Sequence, residues 1–208
     1  MTSDEWLAAR RDYITATDVA AVLAPYGHND RQLAIAETVA RKLAEPSPPT
    51  DAMAWGLMIE ELAPQWYERL NETYGRNLAL IRAWDLLPVV GGRLCTRMID
   101  GVPGGATIDW LAIDRDKTDP QRSDCFVVEV KHTAVALAWG EKPPRSVLAQ
   151  VQWQLLVTGL ARAEIMACVG GRAPMVYRVK RGNPSGIVAA AKQLWAAYKT
   201  AKSAAEET

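Results

Sequence analysis

The sequence predicts an α/β protein with a central mixed β-sheet flanked by helices. Apolar residues repeat at helical spacing as far as about residue 75, and short runs rich in β-branched residues begin near residue 78. A helical segment, two more such runs and a closing helical segment complete the chain. This order is typical of a layered structure in which helices cover both faces of a sheet.

The length of the chain predicts one domain, because 208 residues suit a single well-buried core. We expect a helical part at 1–75, a sheet-bearing core at 76–183 and a C-terminal helix at 184–208. Hydrophobic residues make up 49% of the chain and charged residues 23%, as in ordinary globular proteins. No apolar run approaches the roughly 20 residues needed to span a bilayer, and no signal peptide is recognisable, so we expect a cytoplasmic protein.

The helical pattern divides into separate segments. The N-terminal third predicts helices at 4–11 and 30–44, with a further helix capped by Thr15 or Thr17 between them. A stronger helix is predicted at 52–74, where Pro64 is expected to kink or split it. Most of the tryptophans have core spacing and are expected to pack, while Trp110 and Trp139 are candidates for substrate contact.

The β-rich runs lie at 78–83, 93–100, 105–113 and 125–132. The last two flank a polar loop at 114–124, which predicts an antiparallel hairpin. A helix at 144–159, strands at 164–170 and 175–181 and a helix at 184–205 follow. Three widely spaced cysteines, without any C-x-x-C pair, predict buried thiols at Cys95, Cys125 and Cys168.

The hairpin carries the residues best suited to chemistry. Alternate residues of a strand share a face, so Glu129 and Lys131 emerge together at the end of an apolar strand. In the predicted hairpin Asp109 lies opposite Glu129, and two carboxylates can hold a hard cation such as Mg²⁺. Lys131 would then be placed to orient or deprotonate a water. For an isolated E-x-K, a plain ion-pair cluster at a sheet edge is the better explanation, because this tripeptide is very common.

Charge is segregated along a chain whose net charge is zero. Residues 165–204 contain seven basic residues and no acidic one, whereas five acidic residues fall within 51–72. This distribution suits a basic track for phosphates and an acidic pocket for a metal, although on charge alone ordinary solvated faces are the better explanation.

Several motifs carry a resemblance to a known family. Asp109 followed twenty residues later by E-x-K resembles the PD-(D/E)xK nuclease signature, with Ile108 in place of the usual proline. The stretches WLAARRDYITATD (6–18), AMAWGLMIEELAPQWYE (52–68) and AQVQWQLLVTG (149–159) resemble motifs of the lambda-exonuclease, or YqaJ-like viral recombinase, family in order and spacing. The resemblance spans residues 6–159.

Membership of that family would imply a restriction-endonuclease-like core and a 5′→3′ exonuclease that digests one strand of linear duplex DNA. It implies Mg²⁺, with Mn²⁺ able to substitute, held by Glu60, Asp109, Glu129 and the backbone carbonyl of Val130. It implies a catalytic group of Asp109, Glu129, Lys131 and Gln150. It implies a 5′-phosphate site formed by Arg10, Thr17 and Thr107.

The resemblance also implies partners. A homotrimeric ring would encircle the DNA, and an annealing protein would coat the 3′ single strand in a bacterial or phage-infected cell. One position departs from the pattern, because Leu137 stands where the lambda enzyme has a second phosphate-binding arginine, a role that Lys142 or Arg145 could take. The alternatives are an endonuclease or repair nuclease on the same core, or an inactive DNA-binding module.

Overall fold

The computed structural model describes residues 3–25, 27, 29–45, 50–87, 89–90, 94–116, 124–133, 139–170 and 173–207. Its helices are α1 Ser3–Arg11, α2 Ala16–Leu23, α3 Arg31–Leu43, α4 Asp51–Thr73, α5 Arg145–Thr158 and α6 Ser185–Glu206. Its strands are β1 Ile14–Thr15, β2 Leu78–Ile81, β3 Val89–Val90, β4 Leu94–Ile99, β5 Val102–Thr107, β6 Trp110–Asp114, β7 Phe126–Thr133, β8 Arg162–Val169 and β9 Met175–Lys180.

The strands form two sheets, which confirms the α/β class but not the expectation of one central sheet. A five-stranded sheet has the order β2-β6-β7-β8-β9, in which β7 and β8 run parallel and the other neighbours are antiparallel. A four-stranded sheet has the order β1-β5-β4-β3. Its strands β1 and β3 have two residues each, too few for a period of two to show in the sequence.

The run at 105–113 was predicted as one strand, and this prediction is wrong. It contains the end of β5 and most of β6, which belong to different sheets, with Ile108 and Asp109 between them. The hairpin itself is confirmed, because β6 pairs antiparallel with β7 and Trp110 lies opposite Val128. The chain therefore changes sheets at Asp109, immediately before the hairpin begins.

Helix α5 packs between the two sheets. Its Trp153 is fully buried, and the indole Nε1 donates to the carbonyls of Ile14 (3.1 Å) and Gly105 (3.2 Å). A Cβ at Gly105 would lie 2.8 Å from the Cβ of Tyr13, so only glycine allows this close approach. The four-stranded sheet is thereby held against the helix that carries Gln150.

Helix α4 covers the opposite face of the five-stranded sheet, where Ala63 and Tyr67 pack against Phe126 and Val128. It is one continuous helix through Pro64, so the proline does not split it. Proline cannot donate to the carbonyl four residues earlier, which belongs to Glu60. The indole Nε1 of Trp110 donates to that carbonyl instead (3.1 Å), and this hydrogen bond replaces the missing one.

The outer side of α4 corrects a second expectation. Trp55 and Trp66 are 52% and 54% exposed, so they do not pack in the core. Leu57, Met58 and Leu62 are exposed beside them. Ala63, Tyr67 and the half-buried Ile59 form the packed face, whereas the exposed tryptophans, leucines and Met58 point outward.

Two further expectations concern the thiols and the membrane. Cys95 and Cys125 are buried, as predicted, whereas Cys168 is only half-buried. Within the described ranges, no helix has the length and apolar character needed to cross a bilayer.

Candidate active site

Glu129 lies in the middle of β7 with a side chain that is almost wholly buried. The ammonium of Lys131, on the same face, is 2.6 Å from Oε1. Gln150 donates to Oε1 and Gln154 donates to Oε2, each at 2.5 Å. The two glutamines are one turn apart on α5, so this helix fixes both oxygens of one carboxylate.

Asp109 lies beside Glu129, as the hairpin predicts. The register that pairs Trp110 with Val128 brings Asp109 opposite Glu129, and the backbone N–H of Val130 donates to Asp109 Oδ2 at 2.8 Å. The N–H and carbonyl of one strand residue point to the same side, so the carbonyl of Val130 is also directed toward Asp109. Burial raises the pKa of Asp109 well above its usual value, and the negative charges of Glu129 and Glu60 raise it further.

Glu60 approaches this pair from α4. Burial raises its pKa, Arg82 lowers it and the charge of Glu129 raises it again. Arg82 Nη1 donates to Glu60 Oε1 and to the backbone carbonyl of Asp109, each at 3.3 Å. The guanidinium also pairs with Glu61 and lies 3.6 Å from the centre of the Trp110 ring. Trp110 therefore supports Arg82 and α4, which is a packing role rather than the substrate contact considered from the sequence.

Lys131 is held as an ammonium. Burial alone would lower its pKa, but the carboxylates of Glu129 and Asp109 outweigh burial and raise it. Two cations, Lys131 and Arg82, thus sit among four carboxylates, those of Glu129, Asp109, Glu60 and Glu61, and the cluster keeps an excess of negative charge.

These oxygen donors match the chemistry of a hard cation. In the arrangement described, no three His, Cys, Asp or Glu side chains are spaced to enclose a metal ion by themselves. Mg²⁺ does not require such a cage, because it is usually bound by one or two carboxylates, with waters and substrate phosphates completing its shell. Asp109 and Glu129 meet that requirement, and Glu60 can join them by leaving Arg82.

Of the residues expected at the 5′ end, Thr107 is the last residue of β5, next to this cluster, and Thr17 lies two residues beyond the paired strand β1. Strands β1 and β5 run parallel with Thr15 opposite Gly105. Thr17 and Thr107 are each two residues further along the chain, so both lie at the carboxyl ends of the paired strands. The carbonyl of Thr107 accepts from Gln154 Nε2 (3.2 Å), the amide that also holds Glu129. The buried Oγ1 of Thr107 has no hydrogen-bond partner among the described residues.

The hydrogen bonds at the N-terminus of α2 show which of the two candidate residues, Thr15 or Thr17, caps the helix. Thr15 Oγ1 accepts from the N–H of Asp18 (3.3 Å), and the Asp18 carboxylate accepts from the N–H of Thr15 (3.0 Å). Thr15 is therefore the cap, and Thr17 is exposed in the first turn.

Arg10 belongs to a charged group around Asp18. Burial lowers the pKa of Arg10, which Asp18 raises and Arg41 lowers. Asp18 is 3.2 Å from Lys42 Nζ and 3.3 Å from Arg41 Nη2, so three cations surround one carboxylate. A net positive charge therefore lies beside Thr17.

The departure at Leu137 falls outside the described residues. The two residues that could compensate for it, Lys142 and Arg145, are both exposed.

Two residues of the cluster were not predicted. Gln154 had a signal, because it follows Gln150 by four residues on one helix and must share its face. Arg82 had none, because its partners Glu60 and Asp109 are 22 and 27 residues away and are brought to it only by folding.

Comparisons with known proteins agree with this fold and with the resemblance inferred from the motifs. The pattern of the YqaJ-like viral recombinase domain matches residues 5–161. No protein with a curated description matches the chain in sequence. An alkaline exonuclease, LHK-Exo from Laribacter hongkongensis, has a similar structure, with a TM-score of 0.64 and 22% identity over 99% of this chain and 100% of that chain. LHK-Exo in complex with dAMP gives a TM-score of 0.57 at 22% identity, over 99% of this chain and 95% of that one. Because the domain pattern covers most of the sequence, the chain belongs to the YqaJ-like viral recombinase family.

Proposed function

We propose that this chain is a magnesium-dependent 5′→3′ exodeoxyribonuclease that digests one strand of linear duplex DNA. The family and the fold together support a nuclease of the lambda-exonuclease type. LHK-Exo is an alkaline exonuclease and binds dAMP, a nucleoside monophosphate of the kind that exonucleases release. The observation that carries the proposal is the meeting of Asp109, Glu129, Lys131 and Glu60 at one place in the fold.

Each residue of the carboxylate cluster has its own role in the proposed reaction. Glu60, Asp109, Glu129 and the carbonyl of Val130 would hold Mg²⁺, or Mn²⁺ in its place. The bound cation supplies positive charge that stabilises the anionic phosphoryl group under attack. Gln150 and Gln154 keep Glu129 in its rotamer by binding both carboxylate oxygens. The ammonium of Lys131 orients the attacking water by donating to it.

We assign the polarity of digestion to the residues expected at the 5′ end, Arg10, Thr17 and Thr107. Arg10 contributes positive charge, and Thr17 and Thr107 contribute hydroxyl donors for the oxygens of a 5′-phosphate. The buried Oγ1 of Thr107 favours this role, since a buried hydroxyl without a protein partner is costly unless a ligand satisfies it. Arg145 would supply the second cation that Leu137 does not, because Lys142 lines a separate groove along β9.

The proposed assembly is a homotrimeric ring around DNA that hands its 3′ single strand to an annealing protein for recombination. The exposed apolar residues of α4 support self-association, because monomers rarely expose contiguous apolar patches of this kind. Replacing Leu62 by lysine should then lower the mass measured by light scattering. An unchanged mass would remove this helix from the interface.

The central test uses linear duplex DNA labelled on each strand, with a 5′-phosphate or a 5′-hydroxyl, in Mg²⁺. At each end of the duplex, the wild type should degrade only the strand that terminates there in a 5′ end. Lys131→Ala should degrade neither strand. Lys199→Ala, an exposed lysine on α6, is the matched control and should digest normally. Arg10→Gln and Thr107→Val should reduce the preference for 5′-phosphate more than the rate on 5′-hydroxyl ends.

The same assay separates the alternatives. Cleavage of a closed circular duplex would indicate an endonuclease or repair nuclease. Binding of DNA without any metal-dependent cleavage would indicate a DNA-binding module and contradict the proposal.

A further inference from the structure

A groove of about 930 Å³ runs along β9, the outer strand of the five-stranded sheet. One wall comes from the end of α4, and the other comes from the segment that precedes α5. We call this feature the β9 groove. Its lining includes Tyr74, Arg76, Lys142, Tyr177, Arg178 and Lys180. It lies beside the carboxylate cluster and does not include it.

The backbone of β9 faces this groove with open donors. Arg181 N–H donates to the carbonyl of Ala161 (2.9 Å), which marks a hydrogen-bonded pair in the ladder between β8 and β9. Such pairs alternate along an antiparallel ladder, so Arg178, opposite Glu164, directs its N–H and carbonyl away from β8. The groove therefore offers backbone N–H groups as well as side chains.

Cations dominate the walls. Arg76, Lys142, Arg178 and Lys180 line the groove, and Glu141 is the acidic residue among the lining residues described. Glu164 offsets part of this charge, because it lies 2.8 Å from Arg76 and 3.4 Å from Arg178. Lys142 and Lys180 form no ion pair within the described part of the chain, and both are exposed.

The register ties the groove to the candidate active site. Glu129 is opposite Ile165 on β8, and Ile165 is opposite Tyr177 on β9. Neighbouring strands are roughly 4.8 Å apart, so the backbone of Tyr177 is about 10 Å from that of Glu129. Residues in register share a face of the sheet, so Tyr177 lies on the face that carries Glu129 and Lys131. Its neighbour Arg178 lies on the opposite face with Glu164, and the groove therefore passes around the edge of the sheet.

We propose that the β9 groove binds a single strand of DNA next to the point of cleavage, a role that rests on the proposed nuclease function. Arg178 and Lys180 lie roughly 6.7 Å apart on the face of β9 that is shared with Glu164, which spaces two cations along an extended backbone at the edge of the sheet. Lys142 reaches the groove from the opposite wall. Tyr74, 71% exposed, offers its ring to an unstacked base, which a single strand presents and a duplex does not.

The test measures binding without cleavage. A short fluorescent oligodeoxythymidylate is titrated with the full chain in EDTA, and anisotropy is followed at several salt concentrations. The variant Lys142→Gln/Lys180→Gln should bind more weakly. It should also lower the slope of log K against log salt by about 1.4, since each single-strand phosphate contact contributes about 0.7.

Two further variants isolate the cause. Tyr74→Ala should weaken binding about fivefold or more without changing the salt slope, because stacking releases no counterions. The matched control is Lys199→Gln/Lys202→Gln on α6, which removes the same charge elsewhere and should leave the slope unchanged.

The outcomes separate this inference from the function on which it rests. If the wild type digests DNA but Lys142→Gln/Lys180→Gln binds the oligonucleotide as the wild type does, the groove assignment is overturned and the nuclease stands. If binding depends on the groove but no cleavage occurs, the nuclease proposal fails and the binding site stands. If a polyglutamate peptide binds more tightly than the oligonucleotide and loses affinity in the same variant, the groove is a peptide site and the proposal is wrong.

Discussion

Two glutamates on neighbouring strands of one sheet share the same burial and have opposite surroundings. Glu129 on β7 is 1% exposed and Glu164 on β8 is 4% exposed. Val128 is opposite Glu164 in the ladder, so Glu129 and Glu164 point to opposite faces of the sheet. Glu129 faces α5, whereas Glu164 faces α4.

Glu164 is surrounded by donors that neutralise it. Tyr67 donates its hydroxyl to Oε2 at 2.5 Å, Arg76 binds both oxygens at 2.8 and 3.2 Å, and Arg178 lies 3.4 Å away. A buried carboxylate is tolerated when cations and hydrogen bonds compensate the loss of water. This group joins α4, β8 and β9 and has a structural role.

Glu129 is equally well hydrogen-bonded, but its surroundings are not neutral. Lys131 contacts it and Arg82 pairs with Glu60 and Glu61, but these two cations face four carboxylates, and the pKa values of Asp109 and Glu60 are both raised. Such crowding of like charges disfavours the fold, and a bound cation would relieve it. Burial alone therefore does not distinguish a functional glutamate from a structural one. The sign of the surrounding charge does.

The largest expected difference is in catalysis. Glu129→Gln should lower the rate of DNA digestion about a thousandfold, because the several kcal/mol that a metal contributes correspond to tenfold for each 1.36 kcal/mol. Glu164→Gln should keep most of the activity of each folded molecule. The rate is measured on linear duplex DNA and divided by the folded fraction from circular dichroism. Equal losses in the two variants would end the distinction between the two sites.

Stability should show the reverse order. Glu164→Gln leaves the partly buried Arg76 without its carboxylate, and the loss of these charge-assisted hydrogen bonds should cost about 2 kcal/mol. Urea unfolding at neutral pH measures the loss in the free energy of unfolding. Tyr67→Phe, which removes one hydrogen bond and leaves the ion pairs, is the graded control and should cost about 1 kcal/mol. A Glu164→Gln protein as stable as the wild type would contradict the structural assignment.

The ionisation of the Tyr67 phenol should make the free energy of unfolding depend on pH in the alkaline range. Burial, and then the charge of Glu164, raise the pKa of this phenol well above its usual value. A tyrosine in the unfolded chain ionises at about pH 10, whereas the folded one keeps its proton. Its contribution to stability is therefore complete below about pH 10 and falls by roughly 1.4 kcal/mol per pH unit above it.

Urea unfolding on either side of that pH measures this slope. Tyr67→Phe has no phenol to titrate, so its stability should fall less steeply than that of the wild type through the same range. Parallel curves for the two proteins would mean that the Tyr67 proton is not retained on folding.

The same comparison explains what the sequence could predict. Glu129, Lys131 and Asp109 follow from strand alternation and a hairpin, which are local patterns, and the structure places them together. Glu164 gave no signal, because Tyr67 and Arg76 are 97 and 88 residues away from it. Contacts at that distance depend on which faces α4 and β8 turn toward each other, and periodicity does not specify this.

The errors have equally physical origins. The apolar run at 105–113 looks continuous because both parts are buried, although they lie in different sheets. The tryptophans of α4 have core spacing, but the helix is apolar on more than one side, and Ala63 and Tyr67 take the packed position. Glu60 was placed by resemblance to a family, since its distance from Glu129 in the sequence carries no geometric information.

The smallest effect tests the cause of the difference between the two glutamates. Asp109→Asn keeps an oxygen that can accept from Val130 N–H and removes one of the crowded charges. Folding raises the pKa of Asp109, so its ionised form destabilises the folded state at neutral pH, and the variant should gain about 1 kcal/mol in EDTA. Mg²⁺ at a hundred times its Kd should stabilise the wild type by about 2.7 kcal/mol and the variant much less, which reverses their order in thermal unfolding.

The exposed Asp85→Asn is the control and should follow the wild type in both conditions. An Asp109→Asn protein that is less stable than the wild type in EDTA would mean that hydrogen bonding outweighs charge in this cluster, and the contrast with Glu164 would then lose its electrostatic basis.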